Sequence, residues 1–237
     1  MKTLVAIILG LIASVGQGQQ NLRIAVASNF YKPLQVLASK YQKETGVRVL
    51  ISSGSSGKLF HQINHGAPYD IYLSANEEFP NRLYESQLSE KPFVYARGVL
   101  VFWSKELANG EKLQEALKSG RLAIANPKVA PYGKAAQEVL KKLDVYPTPK
   151  VLRGESVGQA LHYAMADAGL TAAVSLAQVK SLAAEGGYFL VPPNLYSPIK
   201  QGGVVLASST DKKEARRFLD YLMGKKSQQL IRDMGYR

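Results

Sequence analysis

The feature that most constrains this chain is a regular alternation of short apolar runs with amphipathic stretches. LRIAVAS (22–28) has the length and composition of a buried strand. From Pro33 onward, Leu34, Leu37, Ala38 and Tyr41 recur at helical spacing until Gly46 stops them. VRVLISS (47–53) predicts a second strand, SSGKLFHQINHG (55–66) a second helix closed by Gly66, and DIYLSA (70–75) a third strand. A β-α-β-α-β order calls for a parallel sheet wrapped by helices, since only a crossover can bring the chain back parallel to itself. Ligands of such sheets sit beyond the carboxyl ends of the strands, where Ser- and Gly-rich loops stand in this chain.

The theme then repeats. RGVLVFWS (97–104) predicts a strand, EKLQEALKSG (111–120) a helix, RLAIAN (121–126) a strand and YGKAAQEVLKKL (132–143) a helix. KVLRGES leads into the helical VGQALHYAMADAG, and AAVSLAQV follows. The Pro-rich VPPNLYSPIKQ crosses to a late strand, GGVVLAS, and TDKKEARRFLDYLMG is a helix ended by Gly224, with a short helix from Ser227 behind it. This order fits two α/β lobes joined by two crossings, near Tyr95–Val101 and Ser197–Gly203. Residues 20–98 with 200–237 form the first lobe and 99–199 the second. The cleft between them is the expected ligand site.

Met1-Lys2 followed by the apolar TLVAIILGLIASV and the small and polar GQGQQ reads as a signal peptide over 1–19, too short to span a bilayer. The product is then exported, and with no cysteine in the chain it has no thioether lipid anchor, disulfide, thiolate metal site or cysteine nucleophile. A periplasmic location follows. Lys and Arg outnumber Asp and Glu by 30 to 18, so the expected partner is an anion. Nucleic acid is set aside, because exported proteins rarely meet it and no zinc finger or arginine-aromatic motif is present; the basic group at Lys212, Lys213, Arg216, Arg217, Lys225 and Lys226 reads as a solvated helix face.

Four loops place Ser, Gly, Asn or Tyr just before a helix: Ser28-Asn29-Phe30, the run Ser53 to Gly57, Pro131-Tyr132-Gly133 and Glu155 to Gly158. Each offers unpaired backbone N–H groups at the positive end of a helix dipole. Together they would surround an oxyanion with donors and no counter-charge. Gly54-Ser55-Ser56-Gly57-Lys58-Leu59 is no nucleotide loop, for only two residues separate its glycines and Leu59 follows the lysine. His61 and His65 share a helical spacing, but Gln62 replaces the glutamate of a metalloprotease helix and no third ligand stands nearby in sequence. His162 falls within a helix, and Phe102, Trp103, Tyr188 and Phe189 read as packing residues. Two other classes stay open from the residues alone: an exported hydrolase using Ser56 or His162, and a metal-cation receptor.

AVASNF (25–30), ISSGSSGKLFHQI (51–63), GAPYDIYLSA (66–75), RLAIANPKVAPYG (121–133) and ESVGQAL (155–161) resemble the periplasmic molybdate-binding proteins, the solute receptors of molybdate ABC transporters. The likeness runs through nearly the whole mature chain to its terminal Gly-Tyr. It implies a bilobal type II periplasmic-receptor fold, two α/β lobes joined by two crossover strands, that binds molybdate or tungstate between the lobes without catalysis or cofactor. The implied partners are the oxyanion and a membrane ABC permease, with the receptor itself a monomer. The implied ligand shell is Ser28 and Asn29, Ser56 with the Gly57 amide, Tyr132 and Val157, the last two mainly through backbone amides. Many similar proteins carry a tyrosine where Ser175 stands, and Asn29 is the expected substitute donor. A receptor for sulfate or another tetrahedral oxyanion is the alternative, since sulfate obeys the same donor rule and differs mainly in size.

Overall fold

The computed structural model describes residues 21–106, 117, 121–145, 151–181 and 186–237. The leader and nearly all of the helix expected over 111–120 lie outside the described residues. The chain opens with β1 (Asn21–Ala27), a 3-10 turn at Ser28–Phe30, α1 (Tyr31–Thr45), β2 (Arg48–Gly54), α2 (Ser56–Asn64), β3 (Ile71–Leu73), α3 (Glu78–Glu85) and β4 (Phe93–Gly98). It continues through β5 (Leu100–Ser104), β6 (Leu122–Ala125), α4 (Pro131–Lys142), β7 (Val151–Gly154), α5 (Val157–Ala166), β8 (Thr171–Ser175), α6 (Leu176–Ser181) and β9 (Gly187–Leu190). A 3-10 turn at Pro193–Leu195, β10 (Ile199–Val205), α7 (Lys212–Met223) and α8 (Lys225–Asp233) complete it.

Two five-stranded sheets result, in the orders β2-β1-β3-β10-β4 and β7-β6-β8-β5-β9. In each, the first three strands are parallel and linked by helices, while the fourth position is filled by an antiparallel strand arriving from the other lobe. The period-2 pattern of β1 explains why helices cover both faces of the first sheet. Leu22, Ile24 and Val26 pack with Leu34, Leu37 and Tyr41 of α1 and Phe218 of α7, whereas Ala25 on the other face meets Leu59, Phe60 and Tyr72. The second sheet buries Val101, Trp103, Ile124, Ala136, Val139 and Ala160 in one core that reaches Ala27 and Ala75 of the first lobe. The fold is the bilobal type II α/β architecture.

Three details depart from the sequence-based expectation. RGVLVFWS is two strands: Val99 separates β4 from β5, which belong to different sheets, and its carbonyl accepts from Leu176 N at 2.9 Å. The change of sheet lies within the Tyr95–Val101 segment; what a continuous apolar run does not mark is the break between two strands. Second, α6 follows a strand of the second lobe but docks on the first, with Ala177 in that lobe's core and Lys180 Nζ donating to Asp233 O at 3.2 Å. Tyr188, expected in packing, is instead 43% exposed on the edge strand β9. The C-terminal tail returns to the crossing, where Arg97 and Arg237 exchange backbone hydrogen bonds of 2.7 and 2.9 Å.

Gly133, in the first turn of α4, lies so close to the end of β6 that an added Cβ would stand 2.1 Å from Ala125 O. Backbone cannot yield as a flexible side chain does. Gly133→Ala is expected to destabilise the protein by about 1–3 kcal/mol, the usual cost of overpacking, read as a lowered urea midpoint with unchanged slope.

Candidate functional site

The carboxyl ends of β1, β2, β6 and β7 are each followed, within at most five residues, by a helix start, and the four starts meet between the lobes. They differ in how their first amides are satisfied. Ser55 caps α2, its side chain accepting from Lys58 N, and Ser156 caps α5, accepting from Gln159 N. The helical segment opening at Ser28 and α4, opened by Pro131, have no side-chain cap. An uncapped helix start buried inside a protein leaves donors that something else must meet.

A small recess lies where these ends converge, bordered by Ser28, Asn29, Ser56, Tyr132 and Val157 together with Ala27, Ala75, Ala130, Pro131 and the Gly54-Ser55 turn. Five of the six residues implied as ligand contacts therefore share one cavity. No histidine, carboxylate, lysine or arginine borders it. Its hydroxyls are donors by subtraction. Ser56 Oγ accepts from Ala75 N at 3.0 Å and Ser28 Oγ accepts from Gly158 N at 3.2 Å, so each has its proton left to give. Ser56 is further fixed by Tyr72 OH, which donates to its carbonyl at 2.7 Å.

The sixth residue, Gly57, takes a different role. Its amide donates to Val129 O across the cleft at 2.9 Å, and a Cβ there would approach the Val129 backbone to 3.0 Å. Gly57 thus lets the lobes touch, and in the closed form its N–H is turned to the opposite lobe. Gly158 does the same from the other side, against Ser28. At the solvent rim Lys58 Nζ and Glu155 Oε2 stand 3.2 Å apart and bridge the lobes. The carboxylate of Glu155 faces this outer groove, which also contains His162, and leaves the inner cavity without an acceptor of its kind.

Burial places Tyr132 differently from a phenolic ligand. Its ring is buried, and its OH lies against Gly98, where a Cβ would come within 2.1 Å of it. The amide, in the first turn of α4, is the part of Tyr132 at the cavity. Desolvation raises the Tyr132, Tyr95, Tyr72 and Tyr236 phenols above their ordinary range, so all four stay protonated donors at neutral pH. Ser175 is buried on β8 and shares hydrogen bonds with Gln178. His65 Nδ1 pairs with His61 O at 2.7 Å, and among the described residues no group of three or more His, Asp or Glu is placed to hold a metal ion. The sequence reading missed Tyr72, Tyr95, Gln201 and Tyr236 beneath the cavity, because they come from distant strands and the C-terminus and no local motif marks them.

Lys58 and Glu155 are 59% and 75% exposed, so their attraction is screened by water and salt. Lys58→Ala is expected to change unfolding free energy by less than about 1 kcal/mol in a urea titration, leaving the glycine contacts as the main seam of the closed lobes.

Comparison with known proteins places this geometry. The family described as bacterial extracellular solute-binding protein matches residues 22–237. The molybdate-binding protein ModA of Rhodobacter capsulatus is 36% identical over 241 residues, covering 99% of this chain and 94% of its own. That of Azotobacter vinelandii is 36% identical over 244 residues, covering 99% and 96%. The solved Azotobacter vinelandii periplasmic molybdate-binding protein superposes with a TM-score of 0.87 at 35% identity, covering 91% of this chain and 98% of that one. The sulfate-binding protein SubI of Mycobacterium tuberculosis shares the fold, with a TM-score of 0.76 at 17% identity. The chain belongs to the ModA family of bacterial extracellular solute-binding proteins.

Proposed function

We propose that this protein is the periplasmic receptor that closes on molybdate or tungstate and delivers it to an ABC permease. The observation that carries this reading is the composition of the inner cavity: helix-start amides from both lobes and two serine hydroxyls, with no charged group of either sign. Each helix start bears roughly half a positive charge, so four amount to about the two charges of a dianion. A fully deprotonated oxyanion needs donors only, whereas an ion that carries a proton also needs an acceptor. In this reading Ser28, Ser56 and Asn29 contribute side-chain donors, and Tyr132 and Val157 contribute amides. The Gly57 amide is left out of the closed shell, because Val129 takes it.

The same reading explains release. The anion is held by dipoles that belong to two lobes, so separating the lobes halves the shell without breaking a buried ion pair. The chain acts as a monomeric carrier without catalysis or cofactor, and residues 1–19 direct its export. Among the described residues no helix is long and apolar enough to cross a membrane, which accords with a receptor that meets its permease from solution.

The experiment is a thermal-shift competition on the mature protein with molybdate, tungstate, sulfate and phosphate at equal ionic strength. A ligand at 100-fold its Kd adds about 2.7 kcal/mol to the folded state, and molybdate and tungstate are expected to do so. An equal response to sulfate transfers the assignment to a general oxyanion receptor, and no response to any of them refutes it. Ser56→Ala is expected to weaken molybdate binding by about 1.5–3 kcal/mol, the range for a hydrogen bond to a charged group, as measured by calorimetry. Because nothing bordering the cavity titrates near neutrality, the affinity is expected to stay flat across the neutral pH range.

A further inference from the structure

Beneath the cavity, where the crossings pass, lies a buried amide pair whose hydrogen bonds do not close. Asn29 Nδ2 donates to Gln201 Oε1 at 2.8 Å and to Tyr236 OH at 3.0 Å. Tyr95 OH stands 3.0 Å from the same Gln201 oxygen and 3.1 Å from Ser74 O, and Tyr236 OH donates to Asn29 O at 2.8 Å. Asn29 and Gln201 are both almost wholly buried. Among the described residues the buried side-chain atoms without a partner are Asn29 Oδ1, Gln201 Nε2 and Tyr132 OH. Two of the three belong to this one pair.

Half a turn of both amides exchanges oxygen for nitrogen and moves no other atom. Gln201 then gives one N–H to Asn29 Oδ1 and the other to Tyr95 OH, whose own proton goes to Ser74 O. The Gln201 oxygen comes to the side of Gly98, where the Tyr132 phenol, a donor without a partner, also lies. Tyr236 OH, whose one proton stays on Asn29 O, gives up the N–H it accepted from Asn29, and the nitrogen so released is the group left unpaired. Asn29 borders the cavity, while Gln201, Tyr95 and Tyr236 do not, so the edge of the amide turned from that network is the edge available to an anion. In one orientation this edge is an acceptor that repels a dianion. In the other it is a donor.

We infer that Gln201 is a positioning residue that holds the Asn29 amide nitrogen toward the cavity, keeping the shell free of acceptors and so rejecting oxyanions that carry a proton. The inference rests on the oxyanion reading above and adds to it the residue that sets selectivity between deprotonated and protonated ions. Glutamine is suited to the task because both of its N–H groups have acceptors waiting. A glutamate at this place has only acceptors and draws the Asn29 nitrogen inward, presenting oxygen to the ligand; a methionine leaves the amide undirected.

The test uses isotope-labelled mature protein saturated with molybdate, with Gln201 side-chain amide protons assigned by their loss in Gln201→Met. Nuclear Overhauser contacts from these protons to the Tyr95 ring are expected; contacts to the Gly98 α-protons instead overturn the inference. In parallel, calorimetry with molybdate and displacement by phosphate gives the ratio of the two affinities. Gln201→Glu is expected to lower the molybdate-to-phosphate ratio at least tenfold, and Gln201→Met by a smaller factor in the same direction. A ratio unchanged in both variants overturns it, because an added buried charge or a general loosening weakens two dianions alike. Failure of the wild-type protein to bind molybdate ends the oxyanion reading and this one together, whereas binding with the contrary contacts ends this one alone.

Discussion

Backbone amides at the start of a helix have no partner four residues back, and four such starts are buried together in this protein. Everything else around the cavity follows from that constraint. Serines cap two of the starts, but the one at Ser28 and the one at Pro131 lack side-chain caps. A cavity lined by amides and hydroxyls with no charged side chain is an unfavourable way to leave a protein interior and a favourable way to hold a dianion. The parallel β-α-β topology supplies the geometry without special residues, since every strand that points into the cleft must be followed by a helix that starts there.

The helix starts come two from each lobe, so they converge only when the lobes meet. Glycines make that meeting possible: Gly57 against the Val129 backbone and Gly158 against Ser28 bring main chain to main chain or to a serine, where any larger residue would hold the lobes apart. The ion pair between Lys58 and Glu155 lies at the exposed rim, where water screens it. Cohesion of the closed state thus depends on neutral contacts and on the ligand itself, and neither presents a large barrier to reopening. The hinge side is different. Val99 divides β4 from β5, α6 reaches back to the first lobe, and the terminal Tyr236 is buried beside Asn29, so the base of the cleft is braced by three separate parts of the chain.

Much of this was legible in the sequence because it is local. The strand and helix periods of the first lobe, the stops at Gly46 and Gly66 and the Ser- and Gly-rich helix starts are properties of neighbouring residues, and Ser28, Asn29, Ser56, Tyr132 and Val157 lie together at one cavity. The break of RGVLVFWS into two strands was not legible, since a continuous apolar run does not mark where one strand ends, although a crossing near Tyr95–Val101 was expected. The docking of α6 on the opposite lobe depends on tertiary contacts of Ala177 and Lys180, which no local pattern marks. Gly57 illustrates the remaining difficulty: the loop is placed as expected, but its amide has two possible acceptors, an anion or a carbonyl, and only the approach of Val129 across 72 residues of sequence decides between them. Gln201 sits in a Pro-rich crossing that carries no chemical signature.

The absence of a tyrosine at position 175 has a spatial counterpart. Ser175 is fully buried and bonded to Gln178, while the buried Tyr132 phenol has no hydrogen-bond partner. The Tyr132 and Tyr236 rings reach the same region from α4 and from the C-terminus, so a third phenol on β8 would compete with them for one volume. Tyr236 OH also donates to the Asn29 carbonyl, which fixes the backbone of the Ser28–Phe30 turn from below. On the oxyanion reading Asn29 joins Ser28 and Ser56, so the proposed side-chain donors fall on one lobe and the proposed backbone ones, Tyr132 and Val157, on the other. An anion arriving at an open cleft would then meet the first lobe's side-chain donors, and closure would add the rigid amides.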